Sequence, residues 1–344
     1  MSSSSAPNAS AASRFLDIIQ IARSYMQSAC LYAAAKLKLA DFLAGGPRPV
    51  AELARAAKAH EDALYRVMRA LASIGVFQET APRTFANTPL SEVIRSGVPG
   101  SARDAVLFMV DAMHLKVYGE LTYSLETGVP VFQKITGMEP FEFFTKDEEE
   151  NRLFNAAMTS IAAAIVQPVI EAYDFGETGT LADVGGGQGA LIAAILSKHR
   201  GLSGILFDLP PVAEAGRKLL EARGLAQRCQ IIGGDFFKSV PAADNYAMKS
   251  VIHDWDDDRS VTILKNCAAA MRAPRGKIIL LEFWVSGMNE PGLAKWIDIE
   301  MLAIAGGRER TEAEYAALFA KAGLRLARVV RTASPIAVIE AVKA

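Results

Sequence analysis

The 344-residue chain has few cysteines and almost no net charge. Its three cysteines, Cys30, Cys229 and Cys267, are odd in number and far apart, and the sequence contains no CxxC pair. This pattern indicates neither a disulfide framework nor a zinc cluster, and it predicts a protein of the reducing cytoplasm. The net charge of −1 provides no general attraction to nucleic acid or to an anionic membrane.

The sequence also gives no sign of a signal peptide or of a membrane span. Residues 1–12 are rich in Ser and Ala, with neither a basic start nor an apolar stretch, and they are predicted to be a disordered tail. The longest uncharged run of note, residues 153–170, approaches membrane-spanning length but contains Asn155, Gln167 and Pro168. We therefore expect a buried helix there rather than a transmembrane segment.

The composition, 51% hydrophobic and 22% charged, is that of a globular protein long enough for two domains. Residues 13–105 are predicted to form a helical, winged-helix-like domain. Its helices are expected at 50–58 and 61–74, and its short strands at 76–77 and 84–87.

A winged helix raises DNA binding as an alternative function for this domain. However, the candidate recognition helix offers only Arg66 and Arg69, and basic residues only slightly outnumber acidic ones in this part of the chain. The leading helices carry more apolar surface than one small domain can hide, which favours a dimerisation module and no nucleic-acid partner. Residues 106–175 are predicted to be a helical linker that also lines a substrate pocket.

Residues 176–344 alternate between strand-like and helix-like stretches. The predicted strands are 181–184, 204–208, 230–232, 246–250, 277–283, 324–332 and 336–342. The alternation predicts an α/β, Rossmann-like, mostly parallel seven-stranded sheet that is covered on both faces. The last two strands are close enough to form a hairpin around Ser334 and Pro335, which gives the sheet an antiparallel edge strand.

A glycine-rich turn, D-V-G-G-G-Q-G at 183–189, joins the first predicted strand to a helix expected at 190–198. Such a turn allows close approach of a nucleotide-type cofactor. Gly185 and Gly187 also satisfy a dinucleotide fingerprint, with Asp208 as a ribose-binding acid, so NAD is a rival cofactor. A metal cofactor is not expected.

Acidic residues favour S-adenosylmethionine (SAM) over NAD. Asp183 directly precedes the glycines, where a carboxylate repels a pyrophosphate but attracts a cationic amino-acid tail. Asp208 and Asp235 follow the next two predicted strands, and Phe236 offers a ring to an adenine. Because these strand ends share one edge of the sheet, we expect the three acids to line one site.

A histidine follows the fourth predicted strand of the sheet. His253 suits the role of general base, since imidazole titrates near neutrality. Glu282 ends the fifth predicted strand and Glu309 lies in a glycine-containing loop, so both are expected to meet His253 above the sheet edge. A carboxylate on one ring nitrogen would leave the other nitrogen to accept a proton.

Six motifs stand in order along the chain. They are D-V-G-G-G-Q-G (183–189), F-D-L-P (207–210), G-D-F-F (234–237), M-K-S-V-I-H-D-W (248–255), L-K-N-C (264–267) and G-G-R-E-R-T (306–311). With them the chain resembles the class I SAM-dependent O-methyltransferases of the caffeic-acid and acetylserotonin type, including their bacterial relatives. The likeness extends from about residue 15 to the C-terminus.

The resemblance implies a homodimer, a SAM site and a small-molecule substrate. Eight residues are assigned to the cofactor by this resemblance together with the position of the acids at the strand ends. They are Asp183, Gly185, Gly187, Asp208, Leu209, Asp235, Phe236 and Lys249. The resemblance places His253 at the catalytic base position, flanked by Glu282 and Glu309. The residues assigned to the substrate are Phe154, Met158, Ile161, Asp254, Met301 and Ala305. Ile161 and Ala305 stand where plant members often carry polar residues, so a hydroxycinnamate substrate is not implied.

The expected function is methyl transfer from SAM to a hydroxyl of a small molecule, with His253 as the base. S-methylation of a small thioether acid, such as 4-methylthio-2-hydroxybutyrate, is the alternative, because polar groups such as Arg152 and Arg308 offer cations for a substrate carboxylate. A SAM-sensing DNA regulator and an NAD-dependent oxidoreductase are the competing classes of protein.

Overall fold

The computed structural model describes residues 11–344. Residues 1–10 of the predicted tail lie outside the described residues, and the first helix already begins at Ala11. The chain divides into two compact units, one ending at Leu115 and the other beginning at Lys116.

The N-terminal unit consists of short helices and a small sheet. Its helices are α1 (Ala11–Ala22), α2 (Ser24–Lys36), α3 (Leu39–Phe42), α4 (Val50–Ala57), α5 (Glu61–Ser73), α6 (Pro89–Glu92) and α7 (Arg103–Met109). Its strands are β1 (Arg48–Pro49), β2 (Phe77–Ala81) and β3 (Thr84–Asn87), in the order β1-β3-β2. Helix α8 (Ala112–Gly119) runs across the division between the units.

Helix α5 illustrates how the sequence sets these elements. The ring nitrogen Nδ1 of His60 accepts a hydrogen bond from the Ala63 amide at the start of the helix, 3.4 Å away. Leu64, Met68 and Leu71 recur at helical spacing and are buried in the core of this unit. The pattern at 61–74 therefore predicted the helix well. The two-residue strand β1 was not predicted, because it is too short to show an alternating pattern.

The second unit contains the seven-stranded sheet. Its helices are α9 (Thr122–Thr127), α10 (Val131–Thr136), α11 (Pro140–Lys146), α12 (Glu148–Ala172), α13 (Ala190–Lys198), α14 (Pro210–Ala215), α15 (Arg217–Ala222), α16 (Asp257–Ala270), α17 (Leu293–Glu300) and α18 (Glu312–Lys321). Its strands are β4 (Gly179–Val184), β5 (Leu202–Asp208), β6 (Cys229–Gly233), β7 (Asn245–Lys249), β8 (Lys277–Phe283), β9 (Leu324–Arg331) and β10 (Ile336–Lys343). A 3₁₀ turn at Ile252–Asp254 follows β7, and a π-helical segment at Met301–Ala305 follows α17.

The sheet order is β6-β5-β4-β7-β8-β10-β9, and the first five strands are parallel. Strand β10 runs antiparallel to both β8 and β9, so the predicted hairpin forms the antiparallel edge, with the reversed strand second from the end. The predicted fold class is thereby confirmed. The strand order reverses between β4 and β7, and ligands of open α/β sheets bind at the carboxyl ends of the strands beside such a switch point.

Both faces of the sheet are buried. Leu181 and Leu281 pack with residues of α12 and α13 on one face, whereas Ala182 and Leu280 pack with residues of α16 and α18 on the other. Strands that are apolar on both sides are typical of a parallel sheet between two helical layers.

Helix α12 is long and apolar enough to cross a membrane by length and composition. It spans 25 residues and contains Pro168. Its residues Ile165, Val166 and Val169 are buried in the hydrophobic core on one face of the sheet. A helix is therefore present at 153–170 as expected, but only 33% of its apolar window is buried.

Candidate active site

A buried histidine lies directly after strand β7. The 3₁₀ turn at Ile252–Asp254 carries His253, whose ring is within reach of carboxylates from two other segments. Its Nδ1 lies 2.6 Å from Oε1 of Glu309, a hydrogen bond in which both side chains are buried. Because a carboxylate only accepts, the proton of this bond is on Nδ1, and the second ring nitrogen of a neutral imidazole is then an acceptor.

The second carboxylate comes from the end of β8. Oε2 of Glu282 lies 3.8 Å from His253 Nδ1, and the Glu282 side chain is fully buried. Its other oxygen accepts hydrogen bonds from the amides of Val251 and Ile252, at 3.1 and 2.9 Å. Glu282 therefore lies near the ring, as the strand-end argument predicted, and it also binds the backbone that leads into the turn, which was not predicted.

The third carboxylate belongs to the residue after the histidine. Oδ1 of Asp254 lies 3.5 Å from Nε2 of His253, on the opposite side of the ring from Glu309. Burial raises the pKa of Asp254 to about 6, although the His253 charge opposes the rise. The structure thus brings together the predicted catalytic residues His253, Glu282 and Glu309, with Asp254 beside them.

These charges change the basicity of the imidazole. Burial alone would lower the pKa of His253, but the charges of Glu282, Asp254 and Glu309 outweigh it and raise the pKa to about 10. Burial also raises the pKa of Glu282 and of Glu309, while the His253 charge lowers both. With a pKa of about 10 the ring is mostly protonated at neutral pH, and the neutral imidazole that can act as a base becomes the major form only above that pKa.

The glycine-rich turn lies at the carboxyl end of β4. The amide of Gly185 donates to the Phe207 carbonyl at 2.8 Å, and Gly185 has a φ of +67°. A Cβ at Gly185 would lie 2.7 Å from Cγ2 of Val251, which is closer than packed atoms approach. Only glycine fits this position without a shift of the turn.

Asp208 ends strand β5 beside this turn. Its Oδ2 accepts from the Gly187 amide at 2.8 Å and its Oδ1 from the Leu209 amide at 2.7 Å. Each carboxylate oxygen has a second lone pair, so Asp208 can still accept from ribose hydroxyls. Leu209 itself is 45% exposed at the strand end.

Asp183 lies beneath the turn and is fully buried. Its Oδ2 accepts from the Ile192 amide of α13 at 3.2 Å, whereas Oδ1 has no hydrogen-bond partner among the described residues. Burial raises the pKa of Asp183 to about 7, against the charge of Lys249. Burial lowers the pKa of Lys249, and Asp183, Glu282 and Asp254 oppose that change. Lys249 thus interacts electrostatically both with Asp183 beneath the glycine turn and with the predicted catalytic residue Glu282.

Asp235 and Phe236 follow strand β6. Oδ1 of Asp235 accepts from the Phe237 amide at 2.9 Å, and its Oδ2 lies 3.4 Å from Nζ of Lys238. The half-buried Phe236 ring packs edge-on against Phe237 at 4.9 Å and against Trp255 at 6.0 Å. The predicted cofactor residues thus lie at the carboxyl ends of β4, β5, β6 and β7.

An aromatic chain connects the predicted pocket wall to Trp255. The Phe154 ring stacks on Phe144 with centroids 4.5 Å apart and planes 13° apart, and it meets Phe141 at 6.2 Å. Phe141 in turn stacks on Trp255 at 5.6 Å. Packed aromatic rings therefore connect Phe154 of the predicted substrate wall to Trp255, which also contacts Phe236.

The other predicted substrate residues lie on two elements. Met301 and Ala305 begin and end the π-helical segment, which lies against the turn that carries His253. Such segments are frequent at functional sites. Met158 and Ile161 share the α12 helix with Phe154, and Ile161 packs against the hydrophobic core of the sheet. Their contact with a substrate stays a prediction.

Comparison with known proteins shows the family of this chain. Residues 118–325 match the O-methyltransferase domain, and residues 19–96 match the O-methyltransferase dimerisation domain. The chain belongs to the O-methyltransferase family. It is similar to the phenazine O-methyltransferase PhzM of Lysobacter antibioticus, with 40% identity over 325 residues, which are 94% of this chain and 95% of that protein.

Two solved structures that this chain is similar to contain bound ligands. CalO1, a methyltransferase in calicheamicin biosynthesis in its SAH-bound form, superposes with a TM-score of 0.89 at 37% identity, over 98% of this chain and 100% of CalO1. NcsB1, an O-methyltransferase from neocarzinostatin biosynthesis, has a TM-score of 0.78 at 31% identity, over 92% of this chain and 96% of its own. It was solved with SAM and 2-hydroxy-5-methyl naphthoic acid.

The chain is therefore a class I SAM-dependent methyltransferase, and the resemblance drawn from its motifs is confirmed. SAM is its cofactor, which removes the NAD-dependent alternative. The residues fit this cofactor: the carboxylates of Asp183, Asp208 and Asp235 suit a cationic donor with ribose hydroxyls, whereas a pyrophosphate would meet three acids. The individual cofactor contacts stay predictions.

Sequence reasoning gave no role to three residues of the site. Trp255 is in the H-D-W motif, and its position there was the available signal. Asp298 accepts the Glu309 amide at 2.8 Å, and Arg310 is 1% exposed beside Glu309. Arg310 is in the G-G-R-E-R-T motif, which was the available signal for it, whereas nothing in the sequence distinguishes Asp298 from an ordinary surface charge.

Proposed function

We propose that this O-methyltransferase moves the methyl group of SAM to a hydroxyl of a planar aromatic small molecule, with His253 as the general base. The observation that carries the proposal is the 2.6 Å hydrogen bond between His253 Nδ1 and Glu309, which holds a proton on Nδ1, so that Nε2 is the proton acceptor whenever the ring is neutral. When bound, SAM supplies an electrophilic methyl group on a sulfonium. Transfer in line to an oxygen then requires alignment, exclusion of water and removal of one proton.

The proton moves from the acceptor hydroxyl to Nε2 of His253. The charge that forms on the ring is stabilised by Glu309 at 2.6 Å and by Glu282 at 3.8 Å, both buried. Asp254 lies 3.5 Å from Nε2, where it can accept a hydrogen bond from a second hydroxyl on the acceptor. A positioned base of this kind contributes about 10²- to 10⁴-fold to the rate.

Flat apolar walls favour an aromatic acceptor. Phe154 stacks on Phe144, and Phe141 stacks on Trp255, so one more ring in this chain gains stacking contacts. The relatives point the same way, since one is named for a phenazine and another was solved with a naphthoic acid. Phe154, Met158, Ile161, Met301 and Ala305 are proposed as the contacts of this acceptor, with Ile161 and Ala305 keeping the pocket apolar.

The dimerisation domain supports a homodimer, and helix α1 carries a suitable surface. Phe15, Leu16, Ile18 and Ile21 are each more than 60% exposed. Large apolar side chains in such a row are commonly covered by another protein surface. We propose that a second copy of the chain covers them.

The His253→Gln variant tests the role of the base. We expect turnover to fall by about 10²- to 10⁴-fold while the Kd for SAM, measured by calorimetry, changes less than about threefold. Acceptors for the assay come from a panel of hydroxylated phenazines, naphthoates and quinones, scored by mass spectrometry for the gain of one CH₂. His60→Gln is the matched control, because His60 is exposed at the start of α5 and we expect normal turnover from it.

Unchanged turnover in His253→Gln would exclude base catalysis. It would favour S-methylation of a thioether acid such as 4-methylthio-2-hydroxybutyrate, because a thioether has no proton to lose. Methylation of that acid, with no product from the phenolic panel, would overturn the proposed acceptor class even if SAM binds normally.

A further inference from the structure

Arg310 is among the most deeply buried side chains of the described residues, at 1% exposure. It belongs to the segment 306–311 that also supplies Glu309, but methyl transfer as described above makes no use of it. A buried guanidinium is costly unless its donors are satisfied, so its contacts indicate what it does.

The Arg310 guanidinium forms hydrogen bonds to the main chain on both sides of His253 and Asp254. Its Nη1 donates to the Ile252 carbonyl at 3.2 Å, and its Nη2 donates to the Trp255 carbonyl at 3.0 Å. These carbonyls belong to the residues directly before and directly after the pair His253 and Asp254. The guanidinium therefore spans the turn that carries the base.

The remaining donors bind the start of helix α16. Nε and Nη2 reach Oδ1 of Asp257 at 3.3 and 3.0 Å, and Nη2 lies 3.5 Å from Oγ of Ser260. Nη1 also reaches the Arg308 carbonyl at 3.3 Å. The planar guanidinium thus joins three pieces of chain in one fixed geometry, which a lysine ammonium cannot reproduce.

Two neighbours of Arg310 hold the histidine itself. The amide of Arg308 donates to the His253 carbonyl at 2.8 Å, and Glu309 binds the ring. Gly307 is so close that a Cβ there would lie 1.9 Å from the His253 carbonyl oxygen. Residues 307–310 therefore contact the turn at the ring and at its backbone.

The same segment is tied to the strand that carries Glu282. Arg310 forms an isolated parallel bridge with Trp284, two residues beyond Glu282. The Arg310 carbonyl accepts from the Val285 amide at 3.4 Å. The extension of β8, the 306–311 segment and the histidine turn are thus bound to one another.

We propose that Arg310 is a positioning residue for methyl transfer, which fixes the backbone on both sides of His253 and thereby sets where Nε2 meets the acceptor hydroxyl. The inference rests on the proposed role of His253 as the base. A misplacement of about 1 Å at a reacting group costs about 10²-fold in rate. Hydrogen bonds that fix the backbone of the base should therefore raise kcat.

A purely structural role for Arg310 predicts a different result, and Lys321 provides the matched control. Its Nζ lies 3.2 Å from Oδ2 of Asp257, the same carboxylate that Arg310 binds. Within the described residues, Lys321 makes no hydrogen bond to the carbonyls of the histidine turn. Lys321→Met therefore removes a cation from Asp257 and leaves the hydrogen bonds of Arg310 to the turn intact.

The experiment compares Arg310→Lys in two backgrounds, the parent enzyme and His253→Gln, with the full chain and SAM. We expect Arg310→Lys to lower kcat about 10- to 100-fold in the parent, with the Kd for SAM and the KM for the acceptor within about threefold. In the His253→Gln background the same change should cost less than about twofold, because the group that it positions is gone. Lys321→Met should leave kcat within about twofold of the parent.

The ring of His253 provides a readout that needs no acceptor. The chain has only four histidines, so the ¹⁵N spectrum of histidine-labelled protein contains few ring signals. The signals that disappear in His253→Gln are those of His253. Arg310→Lys should shift or broaden the His253 ring signals, while Lys321→Met leaves them unchanged. If Arg310→Lys does not fold, Asp257→Asn, which loosens the guanidinium but keeps its bonds to the turn, replaces it in both measurements with a smaller expected loss.

The outcomes separate the two proposals. An equal loss from Arg310→Lys in both backgrounds, or unperturbed His253 ring signals, overturns the positioning role and leaves the base intact. Full turnover in His253→Gln alone overturns the proposed function instead.

Discussion

Glu282 offers the sharpest test of how the site sets the basicity of His253. The Glu282→Gln substitution preserves shape and can keep an oxygen for the amides of Val251 and Ile252, which lie 3.1 and 2.9 Å from Oε1. It removes the negative charge that lies 3.8 Å from Nδ1 of the ring. The variant thus isolates one electrostatic contribution.

The expected magnitude follows from that distance. At 3.8 Å and an effective dielectric constant of about 20, the charge pair is worth about 4 kcal/mol, or about three pH units. The pKa of His253, about 10 in the parent, should therefore fall toward its ordinary value, to about 7. Because the imidazolium that forms in the reaction loses the same support, turnover at the plateau should fall about 30-fold if half of that energy is expressed in the transition state.

The assay is the pH dependence of kcat, together with a titration of the His253 ring by NMR. The sign is fixed: the base form exists above the pKa, so the rising limb of the profile should move to lower pH in Glu282→Gln. Glu312→Gln is the control, since this exposed residue of α18 lies outside the site. An unmoved limb and an unmoved ring titration would refute the assignment of the raised pKa to Glu282.

Three further outcomes are expected. Gly185→Ala should weaken SAM binding about tenfold or more by calorimetry, because its φ is +67° and the new Cβ would lie 2.7 Å from Val251; unchanged affinity would contradict the fit. EDTA should leave turnover unchanged, although donor atoms of His253, Glu282 and Glu309 lie within 4.8 Å of one another; a loss restored by a divalent cation would make that cluster a metal site. Ile18→Asp should shift the protein toward monomer in sedimentation, since Ile18 is 63% exposed on α1; an intact dimer would place the interface elsewhere.

The sequence predicted the elements of the sheet because their signals are strong and local. Helix α13 was predicted with its observed bounds, 190–198, since the glycine turn marks its start. Strand β8 was likewise predicted at 277–283, as a continuous apolar run that ends in Glu282-Phe283. The strand at 76–77 was misplaced, because β2 extends over Phe77–Ala81 with only one buried residue and shows little hydrophobic pattern.

The clustering of the proposed catalytic residues could be predicted for a different reason. Parallel strands deliver their carboxyl ends to one edge, so residues far apart in sequence, such as His253 and Glu282, could be placed together without coordinates. The burial of Asp183 and Arg310 could not be predicted in this way. Whether a charge lies above or beneath a loop depends on side-chain packing, and neither residue differs in type from the solvated charges around it.

Burial of so many acids has a consequence for cofactor binding. Burial raises the pKa of Asp183 to about 7 and that of Asp254 to about 6, and the charge of Lys249 opposes both rises. A cationic donor favours the ionised form of both carboxyls, so its binding should lower these pKa values and release protons near pH 6.5. Calorimetry in two buffers of different ionisation enthalpy measures that release, and Asp254→Asn should reduce it. Proton uptake, or heats that are independent of the buffer, would show that these carboxyls do not sense the sulfonium.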